Sequence, residues 1–239
     1  MMEIKIMNSK KIDEEIANLF IKTVNDNPKC ILGLATGSSP LGVYQLLVKA
    51  CEEKKVSFKD VTTFNLDEYV GLDGDHDQSY RYFMNHNLFN HIDIDKAHTH
   101  VPSGLNIEAA SQYDKDIEAA GGIDLQILGI GSNGHIAFNE PGTPLDSLTH
   151  VVKLDDSTRK DNARFFTSID EVPTHAVSMG LASIMKAKKI VLIATGAKKA
   201  QAIKALVDGE VTSSLPVSIL KNHKDATIYV DEEAASLLG

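Results

Sequence analysis

The sequence predicts an α/β protein, a single-domain, three-layer doubly wound fold with a mostly parallel sheet and helices on both faces, over residues 1–239. Three observations lead there. Short apolar runs rich in β-branched residues alternate with stretches whose apolar residues recur at helical spacing. No internal repeat, low-complexity tract or Pro/Gly/Ser-rich linker divides the chain. With 43% hydrophobic and 24% charged residues, 239 residues suffice to bury a core without a disulfide or a metal.

Taken in order, Ile12, Ile16, Leu19, Phe20 and Val24 form the stripe of a first helix. Cys30–Ala35 reads as a buried strand. Ser39-Pro40 then reads as an N-cap followed by proline at the first helical position, with Leu41, Tyr44, Leu47, Val48 and Cys51 facing the core. Val61–Leu66 is a strand, Ser79–His91 a helix, Glu108–Ala120 a helix and Ile123–Ile130 a strand. His175–Met185 is expected to be helical, Ile190–Thr195 a strand, Lys198–Val207 a helix closed by Gly209, and Ala226–Val230 a last strand.

Composition narrows the function. Lysine and arginine number 24 against 33 aspartates and glutamates, a net charge of −9, which argues against a general nucleic-acid binder but leaves room for a small anion. Cys30 and Cys51 lack C-x-x-C spacing and read as reduced core thiols, not a zinc site or redox pair. Met1–Lys5 has no signal-peptide character, and the longest apolar run, Ile190–Ala194, is too short for a membrane span. The expectation is a cytoplasmic protein that engages no membrane.

In folds of this class ligands sit at the carboxyl ends of the strands, and four such ends carry polar chemistry. Thr36-Gly37-Ser38-Ser39-Pro40 could cradle a phosphate or be an ordinary strand–helix turn. Thr195-Gly196-Ala197-Lys198-Lys199 has the same form; its lysines oppose the helix dipole unless an anion is near, or are simply solvated. In Phe64-Asn65-Leu66-Asp67-Glu68-Tyr69, strand alternation sends the two carboxylates to opposite faces, one to a site and one to structure, unless the pair is only a cap or surface turn. Gly129-Ile-Gly131-Ser-Asn133-Gly134-His135-Ile-Ala-Phe-Asn139-Glu140-Pro141 places a histidine and a carboxylate in one glycine-rich loop, the usual acid–base pair near neutral pH. Arg159, Lys160 and Arg164 form a basic cluster that is either a solvated helix face or a phosphate clamp, and His98-Thr-His100 reads as a surface loop.

Phe64–Leu72 and Gly131–Pro141, together with the Thr-Gly-Ser-Ser-Pro turn, Arg164-Phe-Phe and Gly196-Ala-Lys-Lys-Ala, closely resemble glucosamine-6-phosphate deaminases over nearly the whole chain. The resemblance implies conversion of glucosamine 6-phosphate and water to fructose 6-phosphate and ammonia without a cofactor or a metal. It implies Asp67 as the base that moves a proton between carbons 2 and 1, His135 as the ring-opening group, and Asn133 and Glu140 as its partners. Gly37, Ser38, Ser39, Arg164 and Lys199 would bind the phosphate, Thr36 would be a further substrate-binding residue, and Gly129 would offer a backbone donor near the sugar.

Two departures stand out. Many members carry Asp where this chain has Asn133, so His135 would rely on Glu140 for charge. Regulated members run longer and carry basic effector ligands where this chain has His150 and Val152, so hyperbolic kinetics from a monomer or small homo-oligomer are expected. The alternatives are a 6-phosphogluconolactonase-type hydrolase and a non-catalytic sugar-phosphate sensor.

Overall fold

A computed structural model describes residues 2–163 and 166–239. The central sheet has seven strands, all parallel: β1 (Glu3–Ile6), β2 (Ile31–Leu34), β3 (Thr62–Asn65), β5 (Thr99–His100), β6 (Leu125–Gly129), β9 (Lys189–Ala194) and β10 (Ala226–Val230), in the order β1-β10-β9-β6-β2-β3-β5. Every residue of β2 and β10 is buried, as strands covered on both faces require. From β2 the chain winds through α2 (Leu41–Glu52) to β3 in one direction; from β6 it winds through β9 and α7 (Ala200–Asp208) to β10 in the other. Right-handed crossovers running in opposite directions place their helices on opposite faces, so the sheet is doubly wound and its switch point lies between β2 and β6. α1 (Ser9–Asp26) is capped by the Asn8 side chain, buries Ile12, Ile16, Phe20 and Val24, and packs against α2.

A second sheet of three antiparallel strands has the order β4-β8-β7, formed by β4 (Asp67–Tyr69), β7 (His150–Lys153) and β8 (His175–Ser178). Only Leu66 separates β3 from β4. Its N–H donates to Leu34 O at 3.1 Å in the large sheet, and its carbonyl accepts from Met179 N at 2.8 Å beside the small one. The chain thus changes sheets across a single residue, immediately before Asp67.

Several sequence expectations need correction. His175–Met185 is not one helix: it is β8 followed by the short helix α6 (Leu181–Met185). Buried Ala176 and Val177 pair with β4 and β7, and Gly180 runs so close to the Ser147 and Leu148 carbonyls that a Cβ there would lie 2.2 Å from an oxygen. Tertiary pairing overrides the local spacing here. Ser39 does not cap α2; Pro40 occupies the cap position, with no side-chain bond. The expected helix over 79–91 stops at Asn87 and continues as a 3-10 turn over Phe89–His91, whereas Ser79 caps α3 (Tyr80–Asn87) through Tyr82 N. The helices expected from Glu108 and Lys198 begin with 3-10 turns ahead of α4 (Ala110–Ala120) and α7. β1, β4, β5 and β7 had no periodic signal long enough to find them.

Candidate functional site

The ends of β2, β3, β6 and β9 open on one cavity of about 590 Å³ that spans the switch point. Thr36–Ser39, Asp67, Gly129, His135 and Lys199 all line it. The single cavity therefore gathers residues from all four strand ends noted in the sequence.

The two adjacent carboxylates divide as strand alternation requires. Asp67 lines the cavity, yet it is only 6% exposed, and burial together with the neighbouring charge of Glu68 pushes its carboxyl up to about 8. Glu68 points away to the start of α3, where it accepts from the N–H groups of Tyr80 (2.9 Å) and Arg81 (3.0 Å) as well as from Tyr69 N. Burial raises Glu68 too, while those donors and the positive end of the helix favour its charge. One carboxyl is thus poised to exchange a proton and the other fastens α3.

In the loop after β6, His135 Nδ1 lies 2.7 Å from Asn133 Oδ1 and 3.4 Å from Glu140 Oε2. Both neighbours are acceptors, so Nδ1 carries the proton and Nε2 is left for a ligand. Asn133 also donates through Nδ2 to Glu140 Oε2 at 2.9 Å, and Thr158 Oγ1 donates to Glu140 Oε1 at 2.5 Å. Burial alone would push Glu140 up; His135, Thr158 and Asn133 bring its carboxyl down to about 2. An aspartate at 133 would face Glu140 with a second negative charge, whereas the amide bonds both neighbours at once. The ring packs so tightly over Gly131 that a Cβ there would fall 2.1 Å from His135 Cε1. Ala137, which lines the cavity, holds φ at +51°, a strained backbone for a residue with a side chain. The loop is pinned by Phe138 N donating to Ser178 Oγ and Asn139 Nδ2 donating to Met179 O. Asp67 pairs with Ser178 across β4 and β8, so the same strand fixes the carboxyl and the histidine loop.

At the other end lie two glycine turns with left-handed backbones, Gly37 at φ +82° and Gly196 at φ +87°. Among the described residues no carboxylate accepts from the N–H groups of Gly37, Ser38 or Ser39. The second turn differs: Gly196 N donates to Asp231 at 3.0 Å and Ala197 N to Glu233 Oε2 at 3.3 Å. Here the chain itself supplies anions to the backbone donors of the turn. Lys198, Lys199 and Glu233 all line the cavity. Arg164 lies outside the described residues.

Sequence reasoning missed Tyr80, Thr158, Asn162 and Glu233, all in the cavity wall. Tyr80 is stacked on Phe138 with centroids 6.0 Å apart, and Asn162 Nδ2 donates to Tyr69 Oη at 2.9 Å. Asp231 and Glu233 follow the last strand, so the strand-end rule applied once more would have found them. His100 stacks on Phe64, with centroids 4.6 Å apart.

Residues 7–229 match the family described as glucosamine-6-phosphate isomerases/6-phosphogluconolactonase. A glucosamine-6-phosphate deaminase of Clostridium perfringens is 52% identical over 234 residues, covering 97% of each chain. A solved structure described as a monomeric glucosamine-6-phosphate deaminase superposes with a TM-score of 0.96 at 40% identity, over 98% of this chain and 99% of that one. A 6-phosphogluconolactonase structure from Thermotoga maritima shares the fold, with a TM-score of 0.76, 24% identity and coverage of 97% and 99%.

Proposed function

The chain belongs to the glucosamine-6-phosphate isomerase/6-phosphogluconolactonase family, and from that premise we propose that its cavity converts glucosamine 6-phosphate and water to fructose 6-phosphate and ammonia. The enzyme acts in amino-sugar catabolism. The observation that carries this reading is a buried carboxyl, Asp67, opening on the same cavity as a histidine whose far nitrogen is tied to Asn133 and Glu140.

The phosphate sits at the Gly37–Ser39 turn, with Lys199 and Arg164 as its cations and Thr36 beside it. It lies far from the reacting carbons, so its binding energy orients the sugar. His135 Nε2 takes the proton of the anomeric hydroxyl and returns one to the ring oxygen, opening the pyranose. Glu140 carries the opposing charge while the imidazolium exists, and Asn133 holds the ring in register. Asp67 then removes the proton on carbon 2 and delivers it to carbon 1 through an enolamine. Once ionised, a carboxyl near 8 is a stronger base than an ordinary aspartate, and this suits it to a carbon acid. The resulting imine at carbon 2 takes up water and releases ammonia, which balances the reaction. Gly129, at the end of β6, offers its backbone to the sugar.

The protein works without a cofactor, in the cytoplasm, as a monomer or small homo-oligomer. The structural relative described as monomeric supports the last point, and among the described residues no helix is long and apolar enough to cross a membrane. The test is the purified protein with glucosamine 6-phosphate: ammonia and fructose 6-phosphate should appear in equal amounts. Hydrolysis of 6-phosphogluconolactone without ammonia release would point to the lactonase, and thermal stabilisation by the sugar phosphate without turnover to a sensor.

A further inference from the structure

We propose that Thr158 is a positioning residue for ring opening: its hydroxyl clamps one oxygen of Glu140 so that the other stays turned to His135 and Asn133. The proposal rests on the reading of His135 given above. Thr158 is 4% exposed, lines the cavity, and donates to Glu140 Oε1 at 2.5 Å. The opposite oxygen, Oε2, accepts from Asn133 Nδ2 at 2.9 Å and lies 3.4 Å from His135 Nδ1. A carboxylate tied at both oxygens cannot swing away from the imidazole when the ring takes up a proton.

The clamp comes from a different element. Asn133, His135 and Glu140 share one loop, whereas Thr158 belongs to α5 (Asp156–Asn162). That helix is itself anchored, Asn162 Nδ2 donating to Tyr69 Oη at 2.9 Å and the Arg159 guanidinium to the Ile169 and Val172 carbonyls at 3.0 Å. Asp155, at the start of α5, also faces Glu140 and His135; burial and then the Glu140 charge push its carboxyl up. Thr158 and Asn162 both line the cavity, so a sugar pressing on that wall bears on the partner of the histidine.

The experiment compares Thr158→Val, which keeps shape and removes the hydroxyl, with Thr158→Ser, which keeps the hydroxyl. For Thr158→Val, kcat on glucosamine 6-phosphate should fall roughly tenfold or more, with KM changed by less than about twofold. Glu140 also loses one of the donors that hold it down, so its carboxyl should titrate higher. Thr158→Ser should stay near the parent in both. A ¹³C NMR titration of the Glu140 carboxyl reads the same effect without turnover, moving up in the valine variant only. A valine variant with the parent's kcat and Glu140 titration would overturn the proposal. So would equal losses in both variants with a lowered Tm, which would mean that Thr158 only packs. If the parent releases no ammonia, the reaction is wrong, and the Glu140 titration alone decides whether the clamp exists.

Discussion

At one end of the cavity Asn133, His135, Glu140 and Thr158 satisfy one another; at the other, two turns of the same shape have gone separate ways. The Gly37 turn meets no carboxylate among the described residues, while the Gly196 turn has given its N–H groups to Asp231 and Glu233. The difference teaches how one cavity divides its work. The histidine end is pre-organised, so a proton can move without the surroundings rearranging. The other end has a left-handed backbone in both turns, but the backbone donors of one meet no carboxylate among the described residues and those of the other are taken by Asp231 and Glu233.

The sharpest break of this comparison is Asp67→Asn. It keeps the shape of the chemical end and removes the base, so kcat should fall by roughly 10²–10⁴ while binding of a sugar phosphate, read by calorimetry, stays near the parent. Parent-like turnover would remove Asp67 from the proton path. Next comes Lys199→Ala at the other end. Losing a charge-assisted contact of roughly 1.5–3 kcal/mol should cost about tenfold to a hundredfold in kcat/KM for glucosamine 6-phosphate, and far less for unphosphorylated glucosamine. Equal losses on the two sugars would mean that Lys199 does not read the phosphate.

A third measurement addresses the cost of the raised carboxyl. Asp67 is protonated in the folded protein up to about 8 but ionises near 3.8 when unfolded. Between those values the folded state holds the extra proton, so stability falls as pH rises through this window. Asp67→Asn escapes that loss, and its Tm advantage over the parent should grow from pH 5 to pH 8; a constant difference would show that Asp67 is not protonated there. The smallest effect is that of Glu233→Gln. Removing an exposed negative charge from the cavity that Lys198 and Lys199 also line should lower KM by about twofold to fivefold, the scale of a screened surface pair. An unchanged KM would mean that Glu233 does not compete with the phosphate.

Much of this was legible in the sequence because it is written locally. A strand that ends in glycine and polar residues announces itself, and alternation alone sends Asp67 and Glu68 to different tasks. The loop from Gly129 to Glu140 carried its own histidine, amide and carboxylate. What escaped has its partner far away in the chain. Nothing near Thr158 indicates that it bonds Glu140, 18 residues earlier. Nothing near Ser39 reveals that its hydroxyl is not spent on α2. His175–Met185 carries helical spacing, but its first residues are claimed by β4 and β7, and a local pattern cannot report such a claim.

The seam at Leu66 has a consequence for how this protein can vary in length. Its peptide groups serve both sheets at once, and the side chains that follow alternate with a period of two. Deleting or inserting one residue there would exchange the directions of Asp67 and Glu68. The longer carboxylate would reach into the cavity, and the shorter one would fall back from the start of α3. Substitutions around the seam can be absorbed by repacking, whereas a change of count is a frameshift in space. Indels can accumulate at the exposed loop tips, but the step from Asn65 to Asp67 must keep its single intervening residue.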